Sequence, residues 1–269
     1  MERHKITYDI HDLAPYINWA YFYWAWQVHD PKEQQRLRKE ADNVLEKLDG
    51  KYHTFALVAI GEANSDGDDV VFGGKRIPML RQQKNMDDGT PNLCLSDYIR
   101  PMESGKTDTM GVFATTVEIT LEKDFLDDDY MRMMVQLLAD RLAEATAEKV
   151  HLEVRKNIWG YAPNENLSIA ELQKEKFQGI RPAIGYPSLP DTSLNFVLDD
   201  ILHMGDIGIR LTESGAMKPH ASVSGLMISH PEARYFSLGK IGDDQLADYS
   251  KRRGVPIELM RRFLSAVLQ

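Results

Sequence analysis

The chain has 269 residues, 43% hydrophobic and 27% charged, a balance that excludes a disordered chain and allows one large domain or two small ones. Its formal net charge of -9 and pI near 5.4 come without a basic block, which argues against a nucleic-acid role. The single cysteine, Cys94, excludes an internal disulfide and a cysteine-rich zinc site, and reads as a small buried hydrophobe.

The N-terminus, Met1 to Lys5, is not followed by the apolar stretch of a secretory leader, and the aromatic run Tyr16 to Trp26 is too short to span a bilayer. A cytoplasmic protein with no membrane partner is expected. Residues 1–29 are aromatic-rich, and the expectation is an N-terminal helix packed on the core. Asp30 as cap, Pro31 at the first position and Glu33 completing a capping box predict a helix that buries Leu37, Ala41, Val44, Leu45 and Leu48 and stops at Gly50. Residues 54–61 predict a buried strand. Ser65 to Asp68 predict a turn, and Val70–Phe72 with Arg76–Leu80 a hairpin around Gly73-Gly74. A strand is expected over Val112 to Leu121, and the longest helix over 127–158. Ser168 and Glu171 form a capping box for a short helix to Phe177, and Asp191 suits the cap of a helix carrying Leu194, Leu198, Ile201 and Leu202. Strand candidates follow at Ile207–Glu213, Ala221–Ser229 and Tyr235–Ile241, then helices at 243–253 and 256–268.

Strands and helices are grouped rather than strictly alternating. This favours an α+β fold with a largely antiparallel or mixed sheet, as one domain over 1–269.

The usual catalytic motifs fail on inspection. Ser104-Gly105-Lys106-Thr107 ends like a phosphate loop, but Arg100 stands where its first glycine belongs, and no G-x-G-x-x-G occurs. A calcium loop opening at Asp66 would need its bidentate glutamate at Ile77. The histidines lack H-E-x-x-H spacing, no G-x-S-x-G elbow exists, and Ser237 to Lys240 fits S-x-x-K without its companion motifs.

Two segments are unusual for structural turns. One is Gly179 to Pro187, where Arg181 offers a planar fork to a carboxylate and Gly185 permits close backbone approach or an unusual φ. The other is Leu211 to Gly225, dense in small and hydroxylated residues. On residue chemistry alone they read as two loops facing a small polar ligand, with structural turns nearly as good an account.

Four stretches carry a resemblance that spans roughly residues 14–264. They are Leu138–Ala145 with Val154-Arg155-Lys156 and Trp159–Ser168; Gln178-Gly-Ile-Arg-Pro-Ala-Ile-Gly-Tyr-Pro187; Leu211–Met217 through Ala221–Gly225 to His230-Pro231; and Tyr235-Phe236 with Asp244-Gln245 and Asp248-Tyr249. Together they resemble the activation (reactivation) domain of cobalamin-dependent methionine synthase. The resemblance implies a C-shaped α+β domain with a central, strongly twisted, largely antiparallel sheet flanked by helices. It implies a groove for S-adenosylmethionine and docking over the cobalamin of a partner module. It also implies use of an electron from flavodoxin or a similar donor, with a methyl from S-adenosylmethionine, to return cob(II)alamin to methylcobalamin.

By the same resemblance Arg181 holds the ligand, Ala183 faces it through its backbone, and Tyr235 and Phe236 lie beside it. Glu144 lies near its amino group, and Tyr186 sits where the corrin approaches. Asn18 stands where the family has an aspartate that accepts from the ligand ammonium. A neutral acceptor there would cost on the order of 1 kcal/mol, about fivefold in affinity. Pro190-Asp191-Thr192 stands where the family has a histidine. The expected role is therefore an activation subunit acting in trans on a partner that carries cobalamin, a component of methionine synthase rather than an independent enzyme. The alternative is a non-catalytic docking module for another corrinoid-dependent methyltransferase.

Overall fold

A computed structural model describes residues 1–84, 89–118, 120–121, 124–125 and 128–269. The sheet is organised by one long strand, β2 (His53–Asp66), since the run Thr54 to Ala59 is apolar enough to be buried on both faces. The strand β1 (Glu2–Asp9) pairs with residues 53–60 of β2. β3 (Asp69–Phe72) pairs with residues 63–66 of the same strand and turns into β4 (Lys75–Pro78). The other edge of β2 carries β5 (Asp108–Val117), which in turn pairs with β8 (Ser222–Met227). Every pairing is antiparallel, giving the order β4-β3-β2-β5-β8 with β1 beside β2. Two short strands, β6 (Arg210–Leu211) and β7 (Met217–Lys218), form a separate ribbon.

Strand periodicity divides the core in two. Ala56 and Val58 of β2, Phe113 of β5 and Met227 of β8 face one apolar cluster. Their neighbours Leu57, Ala59, Val112, Ala114 and Leu226 face another. The first face is covered by α3 (Pro31–Leu48) and α4 (Asp129–Glu153), preceded by two short helices, α1 (Ile10–Leu13) and α2 (Trp19–Ala25). Behind the second face lies α6 (Leu194–Leu202), which packs on the sheet, while the four-residue α5 (Ile169–Leu172) borders the cavity described below. A third cluster joins α7 (Asp243–Arg253) and α8 (Ile257–Phe263) to Leu80, Leu238 and Ile241. The α+β class and the antiparallel sheet flanked by helices follow the sequence expectation. Among the described residues no helix is long and apolar enough to cross a membrane.

The third helix starts where its caps dictate. The Asp30 carboxylate accepts from the amides of Lys32 (2.9 Å) and Glu33 (3.1 Å), and all five predicted stripe residues are buried. Each of the four leucine and valine side chains among them contributes about 1.5–3 kcal/mol.

Other elements differ from expectation for local reasons. The N-terminal segment is not simply helical. β1 comes first, and only then the short helices that bury Phe22 while leaving Tyr21 and Trp24 exposed. The strand expected at 112–121 lies at 108–117, and residue 119 of the expected span lies outside the described residues. The long helix predicted over 127–158 begins at a position outside the described residues. Its α-helical part runs 129–153 and then widens into a π turn, Val154–Ile158, closed by the Trp159 amide on the Val154 carbonyl (2.9 Å). The helix capped by Ser168 and Glu171 stops at Leu172, because Glu175 takes a left-handed conformation (φ 54°) with its amide on Leu172.

Residues 235–240 are not a strand. The exposed edge of β8 is already occupied by residues 180–184, so no ladder is left for them. They run as irregular chain instead, held by the Leu238 amide on the Pro187 carbonyl (2.9 Å) and by Gln82 on the Ser237 carbonyl (2.7 Å).

Candidate functional site

The segment around Arg181 is pinned to β8 as a short irregular strand. The Ile180 and Ile184 amides donate to the Ile228 and Ser224 carbonyls (2.8 and 2.9 Å), and the Leu226 amide donates to Pro182 (3.0 Å). Burial therefore alternates: Ile180, Pro182 and Ile184 face the core, while Arg181 and Ala183 face outward. The pairing is close because residue 225 is glycine. A Cβ there would lie 2.2 Å from the Pro182 carbonyl oxygen and 2.9 Å from the Ala183 Cα. Gly225→Ala should thus push the segment off β8 and destabilise the fold by about 1–3 kcal/mol, the usual range for overpacking. An unchanged urea midpoint would contradict this. Gly185 meets no such crowding; its φ of 90° is what requires glycine.

Outward of this segment lies a cavity of about 710 Å³. All seven residues singled out from sequence line it: Asn18, Glu144, Arg181, Ala183, Tyr186, Tyr235 and Phe236. One stripe of α4 supplies a wall, since Arg141, Glu144, Ala145 and Glu148 recur at helical spacing. Tyr16, Asn18 and Tyr21 close one side, and Gln173 and Glu175 another, with Gln173 Nε2 on the Ile17 carbonyl (3.4 Å) joining the two.

The Arg181 guanidinium is held from below. Nη2 donates to Glu148 Oε2 (3.1 Å) and Nη1 to His151 Nδ1 (3.1 Å), while its backbone amide donates to the Tyr235 hydroxyl (2.9 Å). Burial lowers its proton affinity, but the carboxylates of Glu148 and Glu144 and the Tyr235 hydroxyl more than reverse that, so it stays a cation. Tyr186 projects from the rim, 52% exposed, and its hydroxyl donates to Glu144 (2.7 Å). Burial and that carboxylate raise the affinity of Tyr186 for its proton. Glu144 is thus engaged by Tyr186, not placed as a simple surface partner of Arg141. Asn18 caps α2, its side-chain oxygen accepting from the Ala20 amide (3.2 Å). Tyr235 and Phe236 both reach the cavity because the chain there is irregular; strand alternation would have sent one of them inward.

The second loop read as ligand-facing, Leu211–Gly225, contributes only Val223 to the lining. Its small residues serve packing. Asn195 Nδ2 donates to the Gly215 carbonyl (2.8 Å), Thr192 Oγ1 to the Ser214 carbonyl (3.0 Å), and Ser224 Oγ to Asn195 Oδ1. Asp191, near the position where the resemblance expects a histidine, is buried under Tyr249 Oη (2.8 Å) and Arg253 Nε (3.3 Å), and is not part of the cavity lining.

Glu148 and Glu175 were missed by sequence reasoning. Glu148 could have been found: it shares a helix face with Glu144 at four-residue spacing. Glu175 gave no such signal, since its side chain reaches the lining only through its left-handed backbone. Burial raises the Glu175 carboxyl, with Arg181 opposing the shift and Glu148 reinforcing it. The lining sets three carboxylates against two guanidiniums, a formal excess of one negative charge, between tyrosine rings. Such a site suits a small molecule that presents a carboxylate to Arg181 and cationic groups to the acidic wall.

The family described as "Vitamin B12 dependent methionine synthase, activation domain" matches residues 9–254. A solved structure, the MetH reactivation domain bound to AdoHcy, is similar over the whole chain. Its TM-score is 0.94 and its sequence identity 39%, with 100% of this chain and 90% of that chain covered.

Proposed function

The chain belongs to the family of activation domains of vitamin B12-dependent methionine synthase, and from this premise we propose that it binds S-adenosylmethionine in the cavity beside β8 and presents it to a cobalamin-carrying partner module in trans. The observation that carries the reading is the convergence of Asn18, Glu144, Arg181, Ala183, Tyr186, Tyr235 and Phe236 on one cavity whose formal charge is negative. S-adenosylmethionine bears a sulfonium, an ammonium and one carboxylate, a net positive charge opposite to that of the lining. When bound it supplies an electrophilic methyl group on sulfur.

The chain's own contribution is positioning. Arg181 has five N–H donors, of which two are committed to Glu148 and His151, leaving three for a carboxylate. Glu175, Glu144 and the Asn18 amide offer acceptors to the ammonium, and Tyr21 and Tyr235 offer faces to the cationic or adenine portion. The outward amide of Ala183, on the edge opposite β8, is offered to the adenine, while its carbonyl accepts from the Tyr186 amide (3.3 Å). Tyr186, projecting from the rim, is where the corrin of the partner would meet the domain. The methyl leaves a sulfonium without proton transfer, so no general base is required. The electron comes from an external donor, flavodoxin or a similar reductant.

The test is to mix the protein with a methionine synthase lacking this domain, in its cob(II)alamin form, add reductant and S-adenosylmethionine, and follow the corrin absorption. Methylcobalamin should return only with all components present; no return would overturn the reading. A second expectation concerns Asn18. Asn18→Asp keeps the cap on α2 and adds a charge at the cavity, so calorimetry should show affinity for S-adenosylmethionine rising about fivefold. A fall in affinity would remove Asn18 from the ligand's ammonium.

A further inference from the structure

His151 is not part of the cavity lining, yet it touches the residue on which the cavity depends. It lies on the last turn of α4, fully buried, three residues after Glu148 and so on the same helix face. Its ring packs edge-on against Phe177 (centroids 5.0 Å apart, 85° between planes). Its Nδ1 lies 3.1 Å from Arg181 Nη1, and its Nε2 3.5 Å from the Tyr161 hydroxyl.

The hydrogen-bond directions are fixed by chemistry. A guanidinium only donates, so Nδ1 must be the acceptor and the ring proton must sit on Nε2. That proton faces the Tyr161 oxygen, and the Tyr161 hydroxyl donates in turn to the Gln178 carbonyl (3.3 Å). The chain of donors runs in one sense, from Arg181 through His151 and Tyr161 to the backbone just before Arg181 itself. Burial, reinforced by the cations of Arg181 and Arg155, holds the imidazole neutral and the acceptor available.

We propose that His151 is a positioning residue for ligand recognition: with Glu148 it grips the two terminal nitrogens of Arg181, sets the plane of the guanidinium, and turns its remaining N–H groups toward the carboxylate of the bound ligand. The proposal rests on reading the cavity as an S-adenosylmethionine site. Glu148 alone, through one contact, would leave the guanidinium free to rotate about that bond. The second contact removes this freedom, and a planar fork recognises a carboxylate only when its plane is set.

The test compares two probes by calorimetry, S-adenosylmethionine and its decarboxylated form, which keeps the sulfonium, amine and adenosine. His151→Leu fills the volume without an acceptor. It should lose about tenfold in affinity for S-adenosylmethionine and be unchanged toward the decarboxylated probe. His151→Asn returns an oxygen near the place of Nδ1 and should recover most of the loss. Tyr161→Phe, which keeps the ring and removes only the relay, should show the same selectivity at smaller size; it serves as the reporter if His151→Leu fails to fold.

Equal losses for both probes would mean His151 serves only packing and would overturn the proposal. So would an Asn variant no better than the Leu variant, or wild-type protein that binds the two probes equally. Wild type that binds neither probe would instead overturn the assignment of the cavity.

Discussion

Arg181→Ala should lower affinity for S-adenosylmethionine by about two to four orders of magnitude in calorimetric titration. The estimate follows from the hydrogen bonds at stake: each to a charged partner is worth about 1.5–3 kcal/mol, and a fork meeting a carboxylate makes two. A further effect acts in the same direction. Without the guanidinium, Glu148, Glu175 and Glu144 face one cavity with only Arg141 to balance them, and the ligand carboxylate is repelled. Arg181→Lys separates the two effects, since it keeps the charge and loses the fork. It should fall between wild type and the alanine variant. Affinity of Arg181→Ala within threefold of wild type would remove the central assignment of the site.

The largest effect on stability is expected one layer below. The Arg155 side chain is wholly buried and that of Glu165 is 7% exposed. Their contacts are Nε to the two carboxylate oxygens (3.1 and 2.9 Å) and Nη2 to Oε1 (2.8 Å), with the guanidinium stacked 4.1 Å from the Phe177 ring centre. Removing one partner strands a buried charge, which costs about 3–5 kcal/mol. At roughly 2 °C per kcal/mol for a chain of this size, Glu165→Ala should lower Tm by roughly 6–10 °C. The double variant Arg155→Met/Glu165→Leu should recover more than half, because no lone charge remains. Thermal and urea unfolding of the three variants decides the matter. A shift below about 2 °C in Glu165→Ala would show that the stranded guanidinium finds water.

How much of this was legible in the sequence depends on the range of the determining interaction. Asp30-Pro31 and Gly73-Gly74 set their helix start and hairpin through neighbours a few residues away, and both were read correctly. The helix at 243–253 is likewise local, with Asp243 and Asp244 opening it and three basic residues closing it. Tyr235–Ile241 alternates like a strand, but whether it forms one was decided some fifty residues away, where residues 180–184 occupy the β8 edge. The strand at Glu2–Asp9 escaped notice for a different reason. It lies at an edge of the sheet, and its Arg3, His4 and Lys5 are the kind of charged residue that edges carry, so its apolar signal is thin.

The site divides the same way. Arg181 is conspicuous by its chemistry in a compact Gly- and Pro-framed segment, whereas Ala183 and Tyr186 are marked only by the family resemblance. The reading of the 211–225 segment failed because small hydroxylated residues look alike whether they approach a ligand or another turn. Cys94 met expectation as a buried hydrophobe, with its thiol pushed up to about 11 by burial.

The pairing of residues 180–184 with β8 has a consequence for which changes in chain length the protein can absorb. Side chains in that segment alternate between core and cavity. Inserting or deleting a single residue between Gly179 and Gly185 would therefore exchange the two sets, driving Arg181 toward the core and Ile180 or Ile184 into the cavity. The tip that joins β2 and β3 could lengthen by several residues at little cost at Gly67, ahead of Asp68, which anchors Arg81 and the Met79 amide. Indel tolerance along this chain should thus be sharply uneven, least in the seven residues where backbone register and ligand recognition coincide.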